Sequence, residues 1–452
     1  MIRRFMSFQL RVNMASGVLV HGVNTLVLIA TYPLYLHFLG KETYGLWLTL
    51  SVVPTFIQLG DFGINQAVTK LVAEEYGGRD SSAAGQYIAM ALAMLLLSGV
   101  TGLVAIFSLR TQIVGLLGLK GANAHMALWL IPVLGSLSVY GLIVNAFNAA
   151  VAGFGRMDIA NYIQAAGRIV SLGVALAFLA AGHALESLVM GLVAANVITH
   201  LATVVCIRSL TSVRIFHRGN WSPARTRRLL AFGTPVFGSG IVSMLMDPLN
   251  RVVLSRFAGP GSVVVYDIAS RGCLQIRSVI TLALRALVPE VSRLSASGTA
   301  EAHAAVRRIL RRATRLAAFY SVPFFAALCV LAPWFLKIWL RSEFTADMPS
   351  AFQVMAIATY ASLVGVPAYF TLMGLNRVGQ VFSSHVVQSV VSALGVAVLL
   401  ILAVRISPFA ICVFALLGTS ASTLFLLTMV PRSLRQMEFA EHSSVECRPD
   451  LG

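Results

Sequence analysis

Charge is scarce in this chain. Only 11% of its 452 residues are Asp, Glu, Lys or Arg, against roughly a quarter in soluble domains. Acidic residues number 17, and the only lysines are Lys41, Lys70, Lys120 and Lys337. A soluble protein could not cover its apolar surface with so few charges, and 58% apolar composition excludes a disordered chain. Cysteine is sparse too: Cys206, Cys273, Cys329, Cys412 and Cys447 form no CxxC or metal spacing, so neither a disulfide framework nor a metal knuckle is implied. The sequence lacks a GxxxxGK[ST] phosphate loop, an HExxH and an Asp-rich metal–diphosphate cluster. No Ser or Cys shows an evident base beside it. Transport is therefore expected rather than catalysis, with no cofactor.

What fills the chain instead is long apolar runs, giving a mean hydropathy of +0.82. Runs of ~20 residues suffice to cross ~30 Å of hydrocarbon, and a helix satisfies its own backbone there. The short alternating segments of a membrane barrel are absent. Twelve spans are expected, near 13–38, 44–68, 83–108, 126–150, 160–181, 187–207, 229–256, 262–289, 316–340, 349–374, 380–404 and 409–430. The first is basic-flanked and too long for a signal peptide, without a small-residue cleavage site. The tail beyond Pro431 is expected to fray.

The formal charge of +17 would suggest nucleic acid in a soluble protein. Here it follows the positive-inside rule, and no nucleic-acid partner is expected. With a cytoplasmic N-terminus, inner segments carry 22 of the 34 cations and outer ones 6, which puts both termini in the cytoplasm. No outer loop is long enough for an extracytoplasmic domain.

The sequence also repeats itself. Phe38-Leu39-Gly40 matches Phe257-Ala258-Gly259, and Gly153-Phe154-Gly155-Arg156 matches Gly374-Leu375-Asn376-Arg377, at offsets of 219 and 221. Two matches at nearly one offset point to a duplicated six-helix half, the parallel-repeat plan of some transporters. The expected organisation is a lobe over 1–207, a basic linker over 208–228, a second lobe over 229–430 and a tail over 431–452.

Charged groups inside spans are costly and usually face a wet cavity or a bundle interior. The eighth span carries Asp267, Arg271, Gln275, Arg277 and Arg285 on a broad polar side. The seventh carries Asp247, Asn250 and Arg251, with Pro248 between. Asp247–Arg251 and Asp267–Arg271 are opposite charges four apart, which could neutralise one another. Arg277 and Arg285 remain unmatched. In the first half, the second span aligns Gln58, Asp61 and Asn65, the first aligns His21 and Asn24, and the fifth aligns Asn161, Gln164, Arg168 and Ser171. Excess arginine suits an anionic ligand, since guanidinium forks bind phosphate and stay charged. Arg251, Arg271, Arg277 and Arg285 are the expected anion contacts. Gln275, Asn24, Gln58 and Asn65 are further expected cavity contacts for the ligand's polar groups. Asp61, Asp247 and Asp267 are candidates for ion coupling.

The stretch Phe38-Leu39-Gly40-Lys41-Glu42-Thr43-Tyr44-Gly45-Leu46-Trp47, then Leu59-Gly60-Asp61-Phe62-Gly63-Ile64, resembles the start of bacterial polysaccharide transporters, the Wzx-type flippases. Gly233-Thr234-Pro235, Val265-Tyr266 and Leu287-Val288-Pro289 resemble that family as well. The resemblance implies an all-α polytopic bundle of two six-helix lobes, V-shaped as in the multidrug and toxin extruders of the same superfamily, with a cavity between lobes. It implies alternating access at the bacterial inner membrane, moving an undecaprenyl-diphosphate-linked oligosaccharide outward for O-antigen, capsule or exopolysaccharide synthesis. The partners it implies are the anionic lipid-linked glycan, membrane lipids, a polysaccharide polymerase and a chain-length regulator. A cation-coupled multidrug extruder is the alternative, and a membrane-embedded glycan polymerase or ligase a more distant one.

Overall fold

The computed structural model describes residues 8–78, 80–210, 223–285, 287–295 and 299–446. Most of the basic linker, at 211–222, lies outside these residues, as do Cys447 and the end of the tail.

The described residues are helical almost throughout, with no strand among them. In chain order the helices are α1 (Phe8–Leu50), α2 (Val52–Gln58), α3 (Ile64–Gly77), α4 (Ser81–Ser108), α5 (Arg110–Leu116), α6 (Gly121–Gly153), α7 (Met157–Ala180) and α8 (Leu185–Leu210). Then follow α9 (Pro223–Ala258), α10 (Pro260–Leu284), α11 (Leu287–Ser295), α12 (Ala300–Leu340), α13 (Met348–Gly374), α14 (Val378–Ile401) and α15 (Pro408–Glu446). Nine helical segments among the described residues are apolar and long enough to cross a membrane. One of them, Arg11–Asp61, holds two helices separated at Gly40, whose φ of 73° and ψ of 167° are not helical. Helices α9, of 36 residues, and α10, of 25 residues with Asp267, Arg271 and Arg277 along it, are also long enough to cross. With them, twelve segments have membrane-crossing length, and the protein is a multi-pass membrane protein. Leu97, Phe319, Ile338 and Ile401 are exposed apolar side chains of the kind that lipid covers.

Local chemistry sets several ends. The Asp80 carboxylate accepts the Ala83 amide at 2.8 Å and caps α4; the Thr299 hydroxyl accepts the Ala302 amide at 3.2 Å and caps α12. Three expectations need correction. The second span does not run unbroken over 44–68: a 3-10 turn at Leu59–Asp61 and left-handed Phe62 and Gly63 interrupt it. Gly63 is required there, because its Cβ would meet the Gly233 carbonyl oxygen at 2.3 Å. The eighth span likewise ends at Leu284, and α11 begins afresh at Leu287. The tail does not fray at Pro431, since α15 continues through it to Glu446.

The chain divides into two compact units, Met1–Gly238 with Arg251–Gly261, and Ser239–Asn250 with Ser262–Gly452. Each has its own apolar core. In the first, Val72, Phe147, Val151, Phe154 and Ala160 pack together; in the second, Val291, Ala368, Leu372, Leu375 and Val381 do. These are the same positions shifted by 219 to 221. Backbone detail repeats at the same offsets. Gly40 and Gly259 are both left-handed, as are Gly155 and Asn376, and Gly182 and Ala403. A Cβ on Gly153 would meet Val72 Cβ at 2.9 Å and the Thr69 oxygen at 3.0 Å; one on Gly374 would meet Val291 Cβ at 2.8 Å and the Val288 oxygen at 2.9 Å. Equal close approaches at equal offsets are the mark of a duplicated half.

Candidate substrate site

The second unit encloses a cavity of about 490 Å³. Helix α10 contributes Arg277 and Thr281, and Arg285 follows at its end; these stand at i, i+4 and i+8, one helical face. Helix α13 adds Ser362, Tyr369 and Met373; α14 adds Ser384, His385 and Gln388; α15 adds Thr419 and Ser422. No carboxylate is among these described lining residues.

The polar groups of the wall differ in how well they are satisfied. Hydroxyls mostly bond within the protein: Thr281 Oγ1 donates to the Arg277 carbonyl at 2.8 Å, Thr423 Oγ1 to the Ala361 carbonyl at 2.9 Å, and Gln388 Nε2 to Thr419 Oγ1 at 3.3 Å. Arg277 Nε is buried with no hydrogen-bond partner among the described residues. An unpaired guanidinium N–H in a protein interior is expensive, which favours an incoming acceptor. Arg285 is exposed to the cavity. Tyr369 and His385 stand edge to face with ring centroids 5.9 Å apart and share the same wall. Two guanidiniums with no carboxylate among the described lining residues, beside imidazole, amide and hydroxyl groups, offer chemistry that a phosphate or another hard anion could use.

The other expected residues lie elsewhere. Arg271 is half-exposed and its Nε bonds Asp267 Oδ1 at 2.9 Å, while Asp267 is 1% exposed. The polar side of the eighth span is therefore not one surface: its first part is an internal ion pair, its second part a cavity wall. Arg251 is 3% exposed and anchored, donating from one terminal nitrogen to the Leu48 carbonyl at 3.3 Å and to Ser51 Oγ at 2.6 Å. Asp61 Oδ1 accepts the Asn65 amide at 3.0 Å, where it satisfies the start of α3. Asp247 is partly buried in mid-α9, and Asn250 donates to the Tyr266 hydroxyl at 3.0 Å. Gln275 is partly buried and its carbonyl accepts Ser278 Oγ at 2.6 Å. Asn24 and Asn65 each keep a buried side-chain oxygen without a hydrogen-bond partner among the described residues. Gln58 lines a separate cavity in the first unit.

Sequence reasoning missed Tyr369, His385, Gln388, Thr419 and Ser422. The repeat offset could have found His385: adding 221 to Gln164, which it did single out, gives that position.

Residues 10–295, more than half of the chain, match the family described as "Polysaccharide biosynthesis protein". The chain is similar to a Shigella flexneri protein called "Putative O-antigen transporter", with 19% identity over 358 residues, 79% of this chain and 83% of that one. Among solved structures it is similar to the lipid II flippase MurJ in an inward closed conformation, at a TM-score of 0.73 and 12% identity, over 94% of this chain and 90% of that one. It is similar as well to an inward-facing multidrug-resistance MATE transporter of the MOP superfamily, at a TM-score of 0.71 and 16% identity, over 96% of both chains. These structural likenesses establish a MATE-like helical bundle.

Proposed function

The chain belongs to the polysaccharide biosynthesis protein family, and from that premise we propose that it is a flippase. It carries an undecaprenyl-diphosphate-linked oligosaccharide from the cytoplasmic to the periplasmic leaflet of the bacterial inner membrane by alternating access, for O-antigen, capsule or exopolysaccharide synthesis. The single observation that carries this reading is the second-unit cavity, where the unpartnered Nε of Arg277 and the exposed Arg285 face no carboxylate among the described lining residues.

The cavity fits the headgroup's chemistry. A diphosphate offers several acceptor oxygens and negative charge, and guanidinium forks answer both. The lipid tail stays in hydrocarbon, so only the polar part needs a polar path. Burial strengthens the attraction while substrate is bound, and release follows when the cavity opens to water on the other side. Both termini stay cytoplasmic in this reading, which the excess of Lys and Arg in the inner segments supports. The polymerase and chain-length regulator that the resemblance implies would act on the delivered units. A multidrug extruder of the same fold is less well supported, because a cavity with two guanidiniums and no carboxylate repels cationic drugs.

Three further assignments belong to the proposal in modified form. Arg271 holds Asp267 in place rather than holding substrate. Arg251 ties α9 to the end of α1. Of the ion-coupling candidates, Asp61 and Asp267 are committed to a helix start and to an ion pair, and Asp247 stays a candidate for its charge in mid-α9.

A strain lacking the protein should accumulate complete lipid-linked repeat units on the cytoplasmic leaflet and show little surface glycan. The wild-type chain should restore the glycan, and the Arg277→Gln/Arg285→Gln chain should not, at equal membrane abundance. Full restoration by that variant would contradict the anion assignment. Accumulation on the outer leaflet would contradict flipping.

A further inference from the structure

The first unit has a cavity of its own, of about 350 Å³. Its wall comes from α2, α6, α7 and α8, the helices that precede by 219 to 223 residues those around the arginine cavity. Gln58 plus 219 is Arg277; Asn145 and Gln164 plus 221 are Val366 and His385; Asn196 plus 223 is Thr419; all eight line their respective cavities. Two cavities in matching places of a duplicated fold are one inherited feature, and their differences show what each half does with it.

The difference is chemical. Where the second unit presents guanidinium, isopropyl, imidazole and hydroxyl, the first presents four amides. Arg168 also lines it, so one guanidinium stands among four amides, against two in the other cavity. Gln58, Asn145 and Gln164 are exposed although each lies within a helical segment of membrane-crossing length. Hydrocarbon cannot satisfy an amide, so these side chains require water or a polar ligand. An amide donates and accepts at once, which matches a hydroxyl that does the same and gives little to a phosphate. The wall is also held closely: a Cβ on Gly167 would meet Thr199 Oγ1 at 2.7 Å, so α7 and α8 approach only because glycine stands there.

We infer that the amide-lined cavity of the first unit binds a neutral, hydroxyl-rich sugar residue. This rests on the flippase reading and adds to it a sugar-recognition site separate from the anion site.

The test uses the full chain in nanodiscs. Saturation-transfer NMR is recorded with a mixture of glucose, galactose, mannose and N-acetylglucosamine, and ³¹P line broadening with inorganic pyrophosphate. The wild type should transfer saturation to at least one sugar. Gln164→Leu/Asn196→Leu should weaken that signal about tenfold, the effect of losing one or two hydrogen bonds, and leave pyrophosphate broadening intact, which also reports that the variant is folded. Should that variant fail to fold, Asn145→Leu, altered at an exposed position, reads the same sugar signal. Arg277→Gln should do the reverse, removing pyrophosphate broadening and keeping the sugar signal. No transfer in the wild type, or an undiminished sugar signal in the amide variants, overturns the inference. Persistent pyrophosphate binding in Arg277→Gln instead overturns the anion assignment and leaves the sugar site standing.

Discussion

The two halves share a scaffold and differ in what they place inside it. Val72 against Gly153 and Val291 against Gly374 are the same contact, made twice. Gln58 and Arg277 occupy the same place in their cavities, yet one is an amide and the other a cation. Backbone geometry is the same in both halves where packing forbids a Cβ, and side chains differ where they line a cavity.

The comparison can be broken most severely at the arginines. Arg277→Gln/Arg285→Gln should reduce surface glycan more than tenfold in the complementation assay, at unchanged abundance; survival of the glycan would make the second cavity as incidental as any packing gap. The next largest effect concerns the ion pair. Arg271→Gln leaves the buried Asp267 without that partner and should lower stability by about 1–3 kcal/mol, less than a fully buried pair because Arg271 is half-exposed. Adding Asp267→Asn should recover most of the loss in thermal unfolding in detergent. A double variant as weak as the single one would return Arg271 to the list of substrate contacts.

The scaffold itself is tested by paired changes. Gly153→Ala and Gly374→Ala should each cost about 1–3 kcal/mol, since each new methyl meets a valine and a carbonyl that cannot retreat. Equal losses fit duplication, and a loss in one half alone contradicts it. A smaller, opposite effect is expected at the left-handed pair Gly182 and Ala403, with φ of 90° and 52°. Ala403→Gly should raise stability by about 1 kcal/mol, because alanine is strained there and glycine is not. Smallest of all, Asp61→Asn should change glycan output little, since asparagine caps a helix about as well as aspartate.

Much of the fold was legible in the sequence because lipid imposes a strict rule: about twenty apolar residues per crossing. The duplication was visible in two glycine-bearing strings for a physical reason as well. Gly40 and Gly259 take backbone angles that other residues resist, and Gly153 and Gly374 leave no room for a side chain. The helix breaks at Leu59–Asp61 and at Arg285 were not legible, because an isolated Asp or Arg and a few glycines inside a membrane-length run do not by themselves end a helix. The site was half legible. Arg277 and Arg285 stood out as unmatched charges, but a helical wheel cannot tell that Arg271 pairs with Asp267 while Arg277 lines a cavity together with His385 and Tyr369. That division is made by α13 and α14, about one hundred residues further along the chain.

The central claim is that the Arg277–Arg285 cavity receives an anionic headgroup. It is tested most directly by calorimetric titration of inorganic pyrophosphate into the full chain in nanodiscs. Saturable, salt-weakened binding is expected for the wild type and none for Arg277→Gln. Equal binding to both proteins would contradict it.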